Sequence, residues 1–310
     1  MGALRFGLSL PNYGPHATPD TIARLAQLAE SLGADSVWVS DHLVAPIEVA
    51  SRYPYDRRPQ PPPGQLGVIE EFYEPMITLA WLAGRTQRVR LGISAYVMPY
   101  RNPVLTAKHV ATLDALSGGR LTLAIGTGWL AEEFIALAVP FAARGARTDD
   151  YLRVCKALWA DGEAQYEGAH YALPPVRSGP RPVQRPHPPL WIAGNSRAAI
   201  ERAARLRDGW HAIDLSPAEL APQVTWLRER LAAHGRAADA VTVSVRRNVT
   251  IGDPQQAERP PLAGDRDTIQ RDLEAYREAG LDYLVANARQ GRDPDALARS
   301  MEAVARALTA

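Results

Sequence analysis

Two arrangements of apolar residues alternate along this chain: compact runs, and stretches in which apolar positions return every third and fourth residue. Compact runs bounded by turn residues read as strands, and the three-and-four spacing reads as helices with one buried face. The first run, Leu4 to Leu10, ends at Pro11-Asn12-Tyr13-Gly14. Thr18-Pro19 then opens a helix in which Ile22, Leu25, Ala26, Ala29 and Leu32 share a face, and Gly33 ends it. Ser36 to Ser40 is the second run, with Asp41-His42 directly at its carboxyl end. A helix from Pro75 to about Arg85 and a strand from Val89 to Val97 follow. Asn102 and Pro103 start the next helix, and Gly118-Gly119 stops it. Leu121 to Ile125 is apolar at four of its five positions, as a parallel strand buried on both faces reads. It runs into Gly126-Thr127-Gly128 and Trp129.

The second half repeats the alternation. A short helical piece precedes a helix capped near Thr148, and Gln165 to Leu173 reads as a hairpin around Glu167-Gly168. A proline-rich connector, Pro174 to Pro189, leads to strand Leu190 to Ala193, turn Gly194-Asn195 and helix Ser196 to Leu206. Strand Gly209 to Ile213, helix Pro217 to His234 and strand Val241 to Val249 come next. After a loop from Ile251 to Asp265 come helix Thr268 to Ala279, strand Asp282 to Ala286, and a last helix from Asp293-Pro294. In that helix Leu297, Met301, Val304 and Leu308 lie on one face. Eight strand-helix units predict an α/β fold, a single (β/α)8 TIM barrel over residues 1–310, with insertions after strands 2, 4 and 7. The insertions include a lid-like segment, 43–74, and a hairpin and proline-rich segment, 162–189. The alternative is a doubly wound open sheet. Gly126-x-Gly128-x-x-Ala131, with Asp149 about 20 residues on, nominally matches the dinucleotide fingerprint. That fingerprint belongs to the first strand of such a fold, whereas this one lies in the fourth unit.

Composition narrows the partners. The 310 residues are 46% hydrophobic and 22% charged with a formal net charge of +1, which gives no reason to invoke nucleic acid or an anionic membrane. No apolar run approaches the ~18 residues of a membrane span. The start, MGALRFGLSLP, lacks a signal-peptide pattern, so a cytoplasmic location is expected. The single cysteine, Cys155, is spaced with Tyr151, Leu152, Leu158 and Trp159 as a packing residue. No CxxC, HExxH or GxSxG motif is present and the seven histidines are scattered, so neither a metal site nor a serine-hydrolase elbow is expected.

Several residues carry two readings. Asp41 and His42 at a strand tip are either a cap or part of a site on the active face of a barrel. Ser94-Ala95 supplies small residues in a strand, which by itself means close packing. Gly126, Thr127 and Gly128 form a plain turn or leave room for a ligand. Gly194-Asn195-Ser196 opens a helix; it is an N-cap, and its positive end also suits a phosphate. Glu132 and Glu133 read as first-turn helix acids. Arg144 and Arg147 read as helix-start partners of Asp149 or Asp150. Trp38, Trp210 and His211 read as core or rim. The segment 43–74 holds six prolines with Tyr53, Tyr55, Phe72 and Tyr73, which reads as an ordered lid.

Six stretches together resemble one family: VSDH (Val39 to His42), RVRLGISAYVMPYRNP (Arg88 to Pro103), LDALSGGRLTLAIGTGWLAEEF (Leu113 to Phe134), RGARTDDYL (Arg144 to Leu152), RPVQRPHPPLWIAGNS (Arg181 to Ser196) and ARLRDGWH (Ala204 to His211). They resemble the luciferase-like monooxygenase superfamily of flavin barrels, and within it the actinobacterial branch that uses the deazaflavin coenzyme F420. The resemblance implies that Asp41 contacts the deazaflavin head group and that His42 faces the reacting carbon and relays a proton. It implies a bulge with a non-proline cis peptide at Ser94-Ala95, pressed against the central ring. Gly126, Thr127, Gly128, Gly194, Asn195 and Ser196 become further cofactor contacts, and Asn12 and Trp129 substrate-pocket residues. Some relatives with sugar-phosphate substrates carry a carboxylate where this chain has Trp129, which argues against that activity. The function implied is hydride transfer between reduced deazaflavin and a small organic substrate. The alternatives are an FMN-dependent two-component monooxygenase and a flavin-binding protein without turnover. The partners implied are a second copy of the chain, as a homodimer, and a separate reductase that supplies reduced cofactor.

Overall fold

The computed structural model describes residues 4–55, 71–206, 208–252, 259–288 and 293–309. The chain begins with β1 (Arg5–Ser9), α1 (Pro19–Ser31), β2 (Ser36–Val39), α2 (Pro75–Ala83), β3 (Arg90–Val97), α3 (Pro103–Leu116) and β4 (Leu121–Gly126). It continues through α4 (Ala131–Ala136), α5 (Arg144–Trp159), β5 (Ala164–Glu167), β6 (Ala172–Val176), β7 (Leu190–Ala193), α6 (Arg197–Leu206) and β8 (Gly209–Ile213). It closes with α7 (Pro217–Ala233), β9 (Thr242–Asn248), β10 (Thr250–Ile251), β11 (Ala263–Gly264), α8 (Arg266–Glu278), β12 (Tyr283–Asn287) and α9 (Pro294–Leu308). Eight parallel strands close a barrel in the order β1-β2-β3-β4-β7-β8-β9-β12, with β12 pairing back on β1 through Arg5↔Tyr283 and Leu8↔Ala286. Closure removes the open-sheet alternative.

Most helix starts fall where the capping residues put them. Thr18, Asn102, Ser216 and Asp293 each accept a backbone N–H of the first turn, and Ser216 completes a capping box with Glu219. Two boundaries differ. α5 starts at Arg144, with Ala143 as a cap that makes no side-chain bond, and Thr148 lies inside it, donating to the Arg144 carbonyl. α8 starts at Arg266 because Asp265 takes the capping role. Beyond α5 the β5/β6 hairpin folds back along that helix: Asp150 accepts from the Tyr166 hydroxyl at 2.7 Å and the His170 N–H at 2.8 Å. The loop after β9 contains one short parallel ladder, β10 with β11. Residues 56–70 of the lid-like segment lie outside the described residues.

Side chains alternate between the inside and the outside of the barrel. Outward residues pack on the helices in one large core, where Cys155 is fully buried and Leu297, Met301, Val304 and Leu308 line the inner face of α9. Inward, Trp38, Ala124, Trp191, Tyr283 and Val285 fill the middle of the barrel, with the two indoles stacked at 5.3 Å. Position 92 must be glycine here, because a Cβ would lie 2.3 Å from the Trp38 ring. One step toward the carboxyl ends, the alternation gives Ser9, Ser40, Ser94, Gly126, Ala193, Arg246 and Asn287. That upper layer is more polar than the aromatic one below, with Arg246 reaching across it.

Candidate active site

His42 stands three residues beyond β2, half-buried at the rim. Its Nδ1 lies 2.8 Å from Glu133 Oε2, and the Glu133 side chain is wholly buried. Glu133 also accepts the Tyr100 hydroxyl at 2.8 Å and the Leu43 N–H at 2.6 Å. Burial pushes the Glu133 carboxyl up. The hydrogen bond and charge of His42, with the Leu43 and Tyr100 donors, outweigh it and hold the pKa below the usual carboxylate value. An ionised carboxylate can only accept, so Nδ1 carries the proton and Nε2 is the ring nitrogen that Glu133 does not engage. The ring is set edge-on to Phe72 at 5.1 Å and Trp129 at 6.2 Å, and Trp129 meets Tyr53 at 5.2 Å.

Glu133 was missed by the first-turn reading, and so was Glu132. Glu132 accepts the Ala50 and Ser51 N–H groups at 2.7 and 3.0 Å. Together the two acids pin residues 43–51 across the rim. The sequence did hold one signal: Glu133 sits beside Leu130 and Phe134, both fully buried, and so on the apolar side of its helix.

Two of the expected ligand contacts have structural roles. The Asp41 carboxylate is held bidentate by Arg101, at 2.8 and 2.9 Å, and also accepts the Val97 N–H at 2.9 Å. Arg101 reaches on to Glu74 at 3.0 Å and lies over the Tyr96 ring. With both oxygens engaged, the carboxylate ties β2, β3 and the α2 start together, a structural role beside the head-group contact expected of it. Asn12 acts in the same way. Fully buried, its amide bonds both ways to the Ser40 backbone, at 2.8 and 2.9 Å, and donates to the Tyr73 carbonyl. It locks the β1 and β2 tips.

The peptide bond between Ser94 and Ala95 is cis, and the β3–β4 register shifts there, as the resemblance implied. The Ser94 carbonyl accepts from Arg246 at 2.7 Å, and Arg246 also donates to Ser40 Oγ at 3.1 Å. Ser94 Oγ meets His211 Nε2 at 2.8 Å, and His211 Nδ1 meets Ser244 Oγ at 2.8 Å. His211 is fully buried and, by burial first and the Arg246 charge second, pushed down to about 3. It therefore stays neutral while an unfolded chain takes up a proton below pH 6.5. Stability is accordingly expected to fall as pH falls from 6.5 toward 3, at up to ~1.4 kcal/mol per pH unit from this group. Urea unfolding across that range should show a flatter acid limb for His211→Gln; an unchanged limb would refute the assignment.

Gly126 ends β4 against the cis bond: a Cβ would lie 3.2 Å from Ala95 Cβ. Gly128 has φ +84°, and a Cβ there would strike the Phe134 ring at 2.6 Å, so this turn needs glycine for its fold as well as for any ligand. Thr127 between them is half-buried. At the α6 start the Gly194 N–H donates to the His211 carbonyl at 3.0 Å. The Asn195 amide bonds the Ile213 backbone both ways, at 2.7 and 2.9 Å, so this side chain braces β8; that corrects Asn195 as a side-chain ligand. Ser196 Oγ accepts the Ala199 N–H and is exposed, and the Tyr55 phenol hydrogen-bonds the Asn195 N–H. The expected partners of Arg144 and Arg147 are also corrected. Arg144 bonds the Gly128 and Phe141 carbonyls and lies over the Phe141 ring, and Arg147 bonds the Tyr151 hydroxyl. Asp149 pairs with Arg202 and Arg205, and Asp150 with Arg153.

Both the sequence and the closed barrel are matched in known proteins. The model for luciferase-like monooxygenases covers residues 4–308. The chain belongs to that family. An uncharacterised protein of Mycobacterium tuberculosis is 34% identical over 60% of this chain, which corresponds to 62% of its own length. An F420-dependent glucose-6-phosphate dehydrogenase of Kineococcus radiotolerans is 31% identical over 77% of this chain and 66% of its own. An FMNH2-dependent dimethylsulfone monooxygenase of Pseudomonas putida is 32% identical over 56% and 48%. Among solved structures, the monooxygenase RslO1 of Streptomyces bottropensis superposes with a TM-score of 0.81 over 98% of both chains at 24% identity, a likeness of fold. Among the described residues no group of side chains could hold a metal ion, and no helix is long and apolar enough to cross a membrane.

Proposed function

We propose that this protein is an oxidoreductase that transfers a hydride between reduced coenzyme F420 and a small organic substrate, with His42 as its acid/base. The observation that carries the reading is the Tyr100–Glu133–His42 relay, which fixes one imidazole nitrogen at the strand-tip rim of the barrel. The upper layer fits a planar polar ring. Ser9 Oγ and Asn287 Oδ1 are buried there with no hydrogen-bond partner among the described residues. Ser94, Ala95, Gly126 and Thr127 would lie along the ring, and Ser196 at the α6 start would meet the cofactor phosphate once Tyr55 swings away. The deazaflavin would supply the two-electron redox chemistry.

The protein supplies the rest. Nε2 of His42 gives or takes the proton that accompanies hydride transfer, and Glu133 stabilises the imidazolium that results. Phe72, Trp129 and Tyr53 exclude water around it. Tryptophan at 129 offers no acid, so the proton path runs through His42 alone. Support for the deazaflavin over FMN is the longer match to the F420-dependent relative. The FMN reading keeps the same site but requires dioxygen and a reductase partner. Exposed Ile77, Leu105 and Leu116 on α2 and α3 support a homodimer, to be read by sedimentation velocity. The test of function is anaerobic mixing of the protein and reduced deazaflavin with a panel of carbonyl and enone acceptors. Oxidation that needs protein and acceptor but no dioxygen supports the proposal. Oxidation of bound FMNH2 only with dioxygen refutes it, and tight binding with no turnover favours a carrier.

A further inference from the structure

Among the described residues, Arg246 is the guanidinium that enters the upper layer of the barrel. It extends from β9 across the interior to the Ser94 carbonyl and Ser40 Oγ, so it touches the strand tips on the opposite side. It is half-buried, and among the described residues it makes no ion pair with a carboxylate. Its neighbours do not supply the missing charge. His211 is neutral, Asp214 is paired with Arg247 at 3.1 Å, and the Asp41 carboxylate is neutralised by Arg101. Both hydrogen bonds that hold Arg246 are to neutral oxygens. A cation withdrawn from water in this way carries a desolvation cost that neutral acceptors repay only in part, and an anion that binds beside it removes that cost.

We infer that Arg246 is a charge-selecting residue, which makes the site bind the reduced, anionic state of a flavin-type ring more tightly than the oxidised, neutral state. This rests on the cofactor reading above. The chemistry is general. Reduction by two electrons and one proton leaves the pyrimidine side of a flavin ring negatively charged at neutral pH, while oxidised flavin is uncharged. Arg246 is anchored on the carbonyl of the cis bond itself, so its charge is fixed in the layer on which the ring would rest. Ser9 Oγ and Asn287 Oδ1, two of the buried atoms without a partner among the described residues, flank the same layer from β1 and β12 and would serve both redox states alike. The state dependence therefore falls on the guanidinium. Arg246 is a positioning residue for charge and takes no proton itself.

The experiment uses the whole protein and FMN, titrated anaerobically in its oxidised form and in its dithionite-reduced form, at fixed ionic strength. The wild type is expected to bind reduced FMN at least tenfold more tightly. Arg246→Gln keeps a donor for the Ser94 carbonyl and removes the charge; the ratio should fall toward one, with the potential of bound FMN shifting down in step. Arg246→Lys keeps the charge and should retain most of the preference. It also guards against a Gln variant that fails to fold. An equal ratio in the wild type, or an unchanged ratio in a folded Gln variant, overturns the inference and leaves the cofactor reading standing. Failure of FMN and of deazaflavin to bind in either state overturns both.

Discussion

Replacing His42 with alanine is expected to lower turnover by about 10²–10⁴-fold, the usual worth of a positioned acid/base, while cofactor affinity changes less than threefold. The imidazole is half-buried and its one hydrogen bond to the described residues is to Glu133, so its removal leaves the barrel standing. Glu133→Gln provides the companion measurement. It keeps the shape of the side chain and removes the charge that favours imidazolium, so the pH profile of turnover should shift to lower pH. A His42→Ala variant with full activity, or one that loses cofactor binding and fold together, would make the histidine structural.

The second large effect is on stability. Asp41→Ala leaves the Arg101 guanidinium, nine-tenths buried, facing only Glu74. Breaking a buried pair on one side costs about 3–5 kcal/mol, and urea unfolding should show a loss of that size. Removing both partners together, as Asp41→Ala with Arg101→Met, should recover part of it. If the aspartate were instead a ligand contact, Asp41→Ala would weaken cofactor binding and leave the unfolding midpoint unmoved. The two outcomes separate the clamp from the head-group role.

The strands were legible in the sequence because a parallel strand covered on both faces must be apolar nearly throughout, and Leu121–Gly126 and Leu190–Ala193 are. Most helix starts were legible where a side chain caps them; α5, which begins behind Ala143 with no side-chain cap, was placed late, and so by two residues was α8, whose cap is Asp265. The site divided along a different line. His42 and the Ser94-Ala95 bond could be found because a family motif fixes them locally. Asp41, Asn12 and Asn195 have the same polar character in sequence, but each is satisfied by backbone or by Arg101 from a distant segment, and spacing along the chain does not encode that. Glu133 and Arg246 were missed for the converse reason. Their partners lie 91 and 152 residues away, so only closure of the barrel brings them to the rim.

The most direct measurement is an equilibrium titration of the purified protein with oxidised deazaflavin and with FMN, followed by quenching of cofactor fluorescence. The account predicts saturable binding of both rings at one site per chain, with deazaflavin at least tenfold tighter. Preferential binding of FMN would contradict the choice of cofactor, and no quenching of either ring would contradict the site itself.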